Sequence, residues 1–175
     1  MSSLSNVLMI NRDDLMKWTG MGGSVDTTKL LPHIMTATDI HVQPILGTQL
    51  LDKCRELVRD DELGDAGNEV YEDLVLNYIT PVLVYYTMWD MLPFLSFQIE
   101  NGGLFTHTSE NANSADEPQM QMIIKKFKDK GESYGRELSR FLCDNTDDYP
   151  ELFTNTGDDI PPSYRQTFQG VVWGK

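Results

Sequence analysis

From Pro81 to Phe97 the chain leaves almost no polar position on any side, with Tyr85, Tyr86, Met88, Trp89, Met91, Leu92, Phe94, Leu95 and Phe97 crowded into one stretch. A helix that is apolar all round has to be covered on several sides. The segment therefore predicts the central helix of a mainly α-helical bundle, or a helix whose outer side joins a subunit interface, where aromatics and methionine are enriched. A membrane span is the competing expectation, since apolar character runs from Pro81 to Ile99. Asp90 at its middle would cost about 2.5–3.5 kcal/mol in a bilayer, Pro93 interrupts it and no Lys or Arg flanks it closely. A buried helix and no membrane partner are expected.

Helical periodicity surrounds this stretch. Asn11-Arg12-Asp13-Asp14 supplies a cap for a short helix over Leu15, Met16 and Trp18, stopped by Gly20, Gly22 and Gly23. Asp26-Thr27-Thr28 opens a second helix with Leu30, Leu31, Ile34, Ala37, Thr38 and Ile40 on one face, Pro32 in its first turn, and Pro44 and Gly47 at its end. From Thr48, the residues Leu50, Leu51, Cys54, Leu57 and Val58 follow three-and-four spacing. Tyr71, Leu74, Val75, Tyr78, Ile79, Val82, Leu83 and Tyr86 form one stripe that Thr80-Pro81 is expected to kink. A long helix opens at Asp116-Glu117-Pro118 and carries Met120, Ile124, Phe127, Gly131, Tyr134, Leu138 and Phe141 in line to about Cys143, roughly 40 Å at 1.5 Å per residue. Gly131 and Gly135 each cost about 1 kcal/mol there relative to Ala, and close approach of another backbone is a reason to keep them.

Between the two strongest helices, Asn101 to Glu117 reads as an intervening loop or short β-hairpin arm that displays Leu104 and Phe105. Beyond Asn145 periodicity disappears, and Pro150, Gly157, Pro161-Pro162 and Gly170 punctuate an extended tail ending in Tyr164, Phe168 and Trp173. The expected organisation is a helical domain over 1–148, with the arm at 101–117, and a C-terminal tail over 149–175. A partner chain is the expected holder of that tail.

The net charge of −13, from 27 acidic and 14 basic residues, opposes general nucleic-acid binding, which rests on Lys and Arg. The basic residues concentrate instead on the long helix as Lys125, Lys126, Lys128, Lys130, Arg136 and Arg140. In an acidic chain that stripe is either an ordinary solvated face or a docking surface for an acidic patch of an identical neighbour. Met1–Asn6 lacks the charged start and apolar run of a secretory signal.

Chemistry finds little purchase. Gly131-Glu132-Ser133-Tyr134-Gly135 matches the serine-hydrolase elbow G-x-S-x-G, but it lies inside a helical stripe with no strand before it, and the last histidine, His107, precedes Ser133. The acidic run from Asp60 to Gly67 lacks EF-hand spacing. Gly20-Met21-Gly22-Gly23 lacks the phosphate-loop pattern. His33 and His41 are a pair without a third ligand, and Cys54 and Cys143 read as two buried thiols. No catalytic, cofactor or metal site is expected, and the chain is not expected to be an enzyme.

The chain resembles head-tail connector (adaptor or ring) proteins of tailed bacteriophages, nearest to those of crAss-like phages. The likeness is carried by Ile45-Leu46-Gly47-Thr48-Gln49-Leu50, Tyr78-Ile79-Thr80-Pro81-Val82-Leu83, Gly103-Leu104-Phe105 leading to Ser109-Glu110-Asn111, Tyr134-Gly135-Arg136-Glu137-Leu138 and Tyr149-Pro150-Glu151-Leu152, between Asp26 and Leu152. The resemblance implies a virion protein made in the host cytoplasm, a ring of about twelve identical subunits joining the portal protein to the tail and other connector proteins. Genome DNA would pass through the lumen without sequence-specific binding. Leu104, Phe105, Lys125, Lys126, Arg136, Tyr164, Phe168 and Trp173 are the expected subunit or portal contacts. The alternative is a small acidic regulatory protein, such as a DNA mimic that occupies the basic site of a host or phage DNA-binding protein.

Overall fold

A computed structural model of the chain describes residues 4–20, 27–95, 97–100, 103–106 and 117–163. The architecture is mainly α-helical. In chain order, α1 is Arg12–Thr19, α2 Thr27–Ala37, α3 Gln43–Leu46, α4 Thr48–Arg59, α5 Glu69–Asp73, α6 Thr80–Leu95, β1 Phe97–Glu100, β2 Gly103–Thr106 and α7 Glu117–Asp144. Helix α6 is the centre of the bundle: every residue from Thr80 to Met88 is buried, under α1, α2 and α7. Among the described residues, no helix is long and apolar enough to cross a membrane.

The helix boundaries follow their caps. Asn11 Oδ1 accepts from the Asp13 and Asp14 amides at 2.7 and 3.1 Å, and the Asn11 amide donates back to Asp14 at 2.9 Å. Each contact satisfies an amide that the first helical turn leaves open. Gly20, at φ 66°, ends α1 in the left-handed conformation, its amide on the Met16 carbonyl.

Two prolines, one expected at a helix end and one at a kink, each follow directly on a π turn, and the helix continues through both. Thr38–Val42 joins α2 to α3 and ends one residue before Gln43-Pro44; Leu74–Ile79 joins α5 to α6 and ends one residue before Thr80-Pro81. In both, the residue before proline bonds five positions back, Gln43 to the Thr38 carbonyl and Thr80 to the Val75 carbonyl. Proline donates no amide, and its ring clashes with the carbonyl four residues earlier. The wider turn takes up that clash without breaking the helix. Thr80 Oγ1 adds a second donor to the Val75 carbonyl at 2.8 Å. Pro32 falls beyond the first turn of α2, inside the helix, and the helix continues through it.

Helix α7 runs antiparallel to α6, as the ring pairs show: Tyr78 stacks on Phe141 at 3.8 Å, Tyr85 on Tyr134 at 5.3 Å, and Tyr85 meets Phe127 at 6.1 Å. On the opposite side His33 Nδ1 lies 2.7 Å from Asp90 Oδ2, which gives the one acid of the apolar stretch its partner.

The expected aromatic helix extends as far as Leu95, and Phe97 already belongs to β1. β1 and β2 pair antiparallel with Phe97 opposite Thr106 and Glu100 opposite Gly103. The described backbone of the arm is thus a hairpin that begins earlier than Asn101.

The non-periodic segment after Asn145 contributes to the core. Tyr149 is 1% exposed and Leu152 5%. The chain then crosses α3 and α4, where Thr48 donates its amide to the Ile160 carbonyl at 2.9 Å and Ser163 donates to the Pro44 carbonyl through its amide at 2.8 Å. Gly47, at φ 79°, lies under Pro162, whose Cδ would stand 2.8 Å from an added Cβ. A side chain at position 47 would expel this strap.

Candidate interaction surface

Helix α7 is divided lengthwise by its own periodicity. The row Phe127, Tyr134, Leu138 and Phe141 turns toward the bundle, and the row Lys125, Asp129, Glu132, Arg136, Arg140 and Cys143, stepping by three and four, shares another face. Cys143 is therefore exposed, contrary to the expectation of two buried thiols; its neighbour Leu142 takes the core position. Cys54 is fully buried, and loss of solvation pushes its thiol up to about 12.

The inner side of α7 explains one of its glycines. A Cβ at Gly131 would stand 3.1–3.2 Å from three ring carbons of Tyr86. The other face of that ring is covered by His41, stacked at 3.5 Å and 2°. A ring, and not another backbone, makes the close approach. Gly135 meets only Ile45 Cδ1 at 3.8 Å, an ordinary contact that leaves a groove open between α7 and α3.

That groove holds about 640 Å³, with Ile45, Tyr86 and Gly135 among its lining residues and Glu132, Arg136, Ser139, Arg140 and Cys143 along the α7 side. Arg136 is 72% exposed and reaches Glu132 at 4.0 Å, a separation worth little in water. Lys125, Lys126 and Arg140 make no ion pair among the described residues. The basic stripe is not uniform, however. Lys128 and Lys130 fold over aromatic rings of α6, with Nζ 5.7 Å from the Trp89 centroid and 4.9 Å from that of Tyr85.

Of the contact residues expected from sequence, the structure brings Lys125 and Arg136 onto one row of α7 and sets Lys126 on the adjacent one, all exposed. Leu104 pairs with Ile99 and Phe105 with Gln98 in the hairpin register; their side chains lie outside the described residues, as do Tyr164, Phe168 and Trp173 entirely. Sequence reading missed the groove, whose floor joins Ile45 and Tyr86 to residues some 90 and 50 positions later. The i, i+4 pair Arg136 and Arg140 beside Gly135 was its visible trace.

A second exposed face lies on α5 and the π turn after it. Tyr71, Leu74 and Val75 point inward, while Glu69, Val70, Asp73, Leu76 and Asn77 form an outward ridge at three-and-four spacing. Val70 is 38% and Leu76 49% exposed. The preceding loop adds Asp61, Glu62 and Asp65, all exposed. Among the described residues no group of three or more His, Cys, Asp or Glu side chains is placed to hold a metal ion. Ser133 of the elbow-like run is exposed within the body of α7, without the strand-to-helix turn that motif needs.

No curated protein and no solved structure matches the chain. A family model described as a family of unknown function (DUF6712) matches residues 42–161, well over half of the chain. The matched region starts at the end of the first π turn and closes at the strap over Gly47, so it takes in both the groove and the ridge; the chain belongs to this DUF6712 family.

Proposed function

We propose that the chain is a structural virion subunit, a head-tail connector that forms a ring with copies of itself between the portal and the tail of a bacteriophage. The observation that carries this reading is the division of α7, which covers the core with one row and turns an open groove edged by Arg136 and Arg140 outward from a chain of net charge −13. Such a groove offers an apolar centre with a charged rim, the pattern of a protein interface. The likeness to connector proteins supports the same reading: Ile45–Leu50 forms the junction of α3 and α4 under the strap, and Tyr134–Leu138 runs along the groove. Acidic lumen walls would let DNA slide past without adhering.

The acidic run Asp60, Asp61, Glu62, Asp65, Glu69, Glu72 and Asp73, with no Lys or Arg among them, favours the second reading, a DNA mimic. That reading leaves the basic row of α7 without a role. Electron microscopy of the purified chain, alone and mixed with the portal protein of the same phage, distinguishes the two. Rings, or a ring seated on the portal, are expected. A chain that stays monomeric and never binds the portal overturns the connector reading, and a complex with a basic DNA-binding protein, displaced by DNA, would replace it.

A further inference from the structure

The groove on α7 and the ridge on α5 have inverse chemistry. The groove has an apolar floor, Ile45 and Tyr86, flanked by two arginines with little or no internal pairing. The ridge has two exposed apolar side chains, Val70 and Leu76, interleaved with Glu69 and Asp73. The ridge is short enough for the groove: from Glu69 to Asn77 is at most roughly 12 Å and from Glu132 to Cys143 roughly 16 Å at the α-helical rise.

We propose that the groove receives the Glu69–Asn77 ridge of a second copy of this chain, Val70 and Leu76 seated over Ile45 and Tyr86, and Glu69 and Asp73 set against Arg136 and Arg140. This rests on the connector reading and names its subunit contact. Groove and ridge share no residue, so the contact is heterologous: each bound copy keeps one free groove and one free ridge, which is the condition for a ring or an open chain. The ridge acids are available for it. Among the described residues, Glu69 accepts only the Gly67 amide, at 2.9 Å, and Asp73 only Asn77 Nδ2, at 2.7 Å. Glu132, inside the groove, pairs with Arg136 and Lys128, which blunts its repulsion of an incoming carboxylate. A second copy is the favoured occupant because the one chain carries both halves.

Two double variants of the full chain test the pairing, Arg136→Glu with Arg140→Glu in the groove and Glu69→Lys with Asp73→Lys on the ridge. All four positions are exposed, so far-ultraviolet circular dichroism should match the wild type in both. Sedimentation velocity is expected to show wild-type association that weakens with salt, and each variant alone weakened by at least ~100-fold. An equimolar mixture should recover association in a 1:1 ratio, because each variant repairs the other's charges. Wild-type association that survives both variants, or a mixture that stays monomeric, overturns this contact and leaves the connector reading standing. Loss with the groove variant alone would assign the groove to a different acidic surface and equally overturn the pairing. A wild-type chain that neither self-associates nor binds the portal overturns the connector reading itself.

Discussion

Gly131 presents bare backbone to the face of Tyr86, three of whose ring carbons lie 3.1–3.2 Å from where a Cβ would stand. The ring has nowhere to retreat, because His41 covers its far face at 3.5 Å and the residue is 8% exposed. Close packing transmits such a displacement to the next layer.

Gly131→Ala and Gly135→Ala should therefore change stability in opposite directions. Both gain about 1 kcal/mol of helix propensity. At Gly135 the new methyl meets only Ile45 Cδ1 at 3.8 Å, so a net gain of up to ~1 kcal/mol is expected. At Gly131 the clash with a ring held on both faces should outweigh propensity and leave a net loss of ~1–2 kcal/mol. Urea denaturation of the two variants, compared at unchanged m-value, reads both signs. A stabilised Gly131→Ala would mean that the Tyr86 and His41 stack yields easily.

Periodicity made a large part of this fold legible in the sequence. Leu50, Leu51, Cys54 and Leu57 are all buried as their spacing requires, and the α6 and α7 stripes meet as neighbours. Periodicity also identifies the row of α7 that turns away from the core, but not what stands opposite it. The groove exists only because α3 comes to lie beside α7, and Ile45 carries no mark of that in sequence. Pro44 reads as a helix end because a local rule sees the lost hydrogen bond and not the wider turn that accommodates it. Tyr149 and Leu152 were illegible for a different reason. Leu152 sits in a short 3-10 turn and Tyr149 at the junction of two such turns, where burial depends on what lies beneath and follows no repeat. The hairpin did leave a trace, in Asn101-Gly102 between Glu100 and Gly103, a dipeptide favoured in two-residue connections.

The His41 ring gives the fold a pH dependence with a definite sign. Burial against Tyr86 and Trp89 lowers its pKa from 6.5, and the Asp90 charge opposes that shift without cancelling it. With the folded value below the unfolded one, the unfolded chain binds more protons as pH falls through the unfolded pKa. This contribution is fully present above about pH 6.5 and is lost as pH falls toward the folded value. His41→Phe keeps a flat ring on Tyr86 and removes the titration. Unfolding free energies measured from pH 8 to pH 5 should fall less steeply in the variant than in the wild type. Parallel profiles would show that His41 is protonated as readily in the folded state as in the unfolded one.

Tyr149 should anchor the C-terminal segment to the core. Its ring packs edge-on to Tyr71 at 5.8 Å and tilted to Phe141 at 6.2 Å, and its hydroxyl donates to the Val70 carbonyl at 2.9 Å. Removing the ring in Tyr149→Ala leaves a cavity under three elements and should cost ~3–5 kcal/mol. Tyr149→Phe deletes one partly buried hydrogen bond and should cost ~1 kcal/mol. Truncation before Tyr149 also removes the bonds to Pro44 and Thr48 and should abolish cooperative unfolding. Because Val70 lies on the ridge, Tyr149→Phe also loosens the backbone that presents it. A small loss of stability with a larger loss of self-association in that variant would tie the C-terminal segment to the subunit contact, and equal losses in the two measurements would confine its role to the fold.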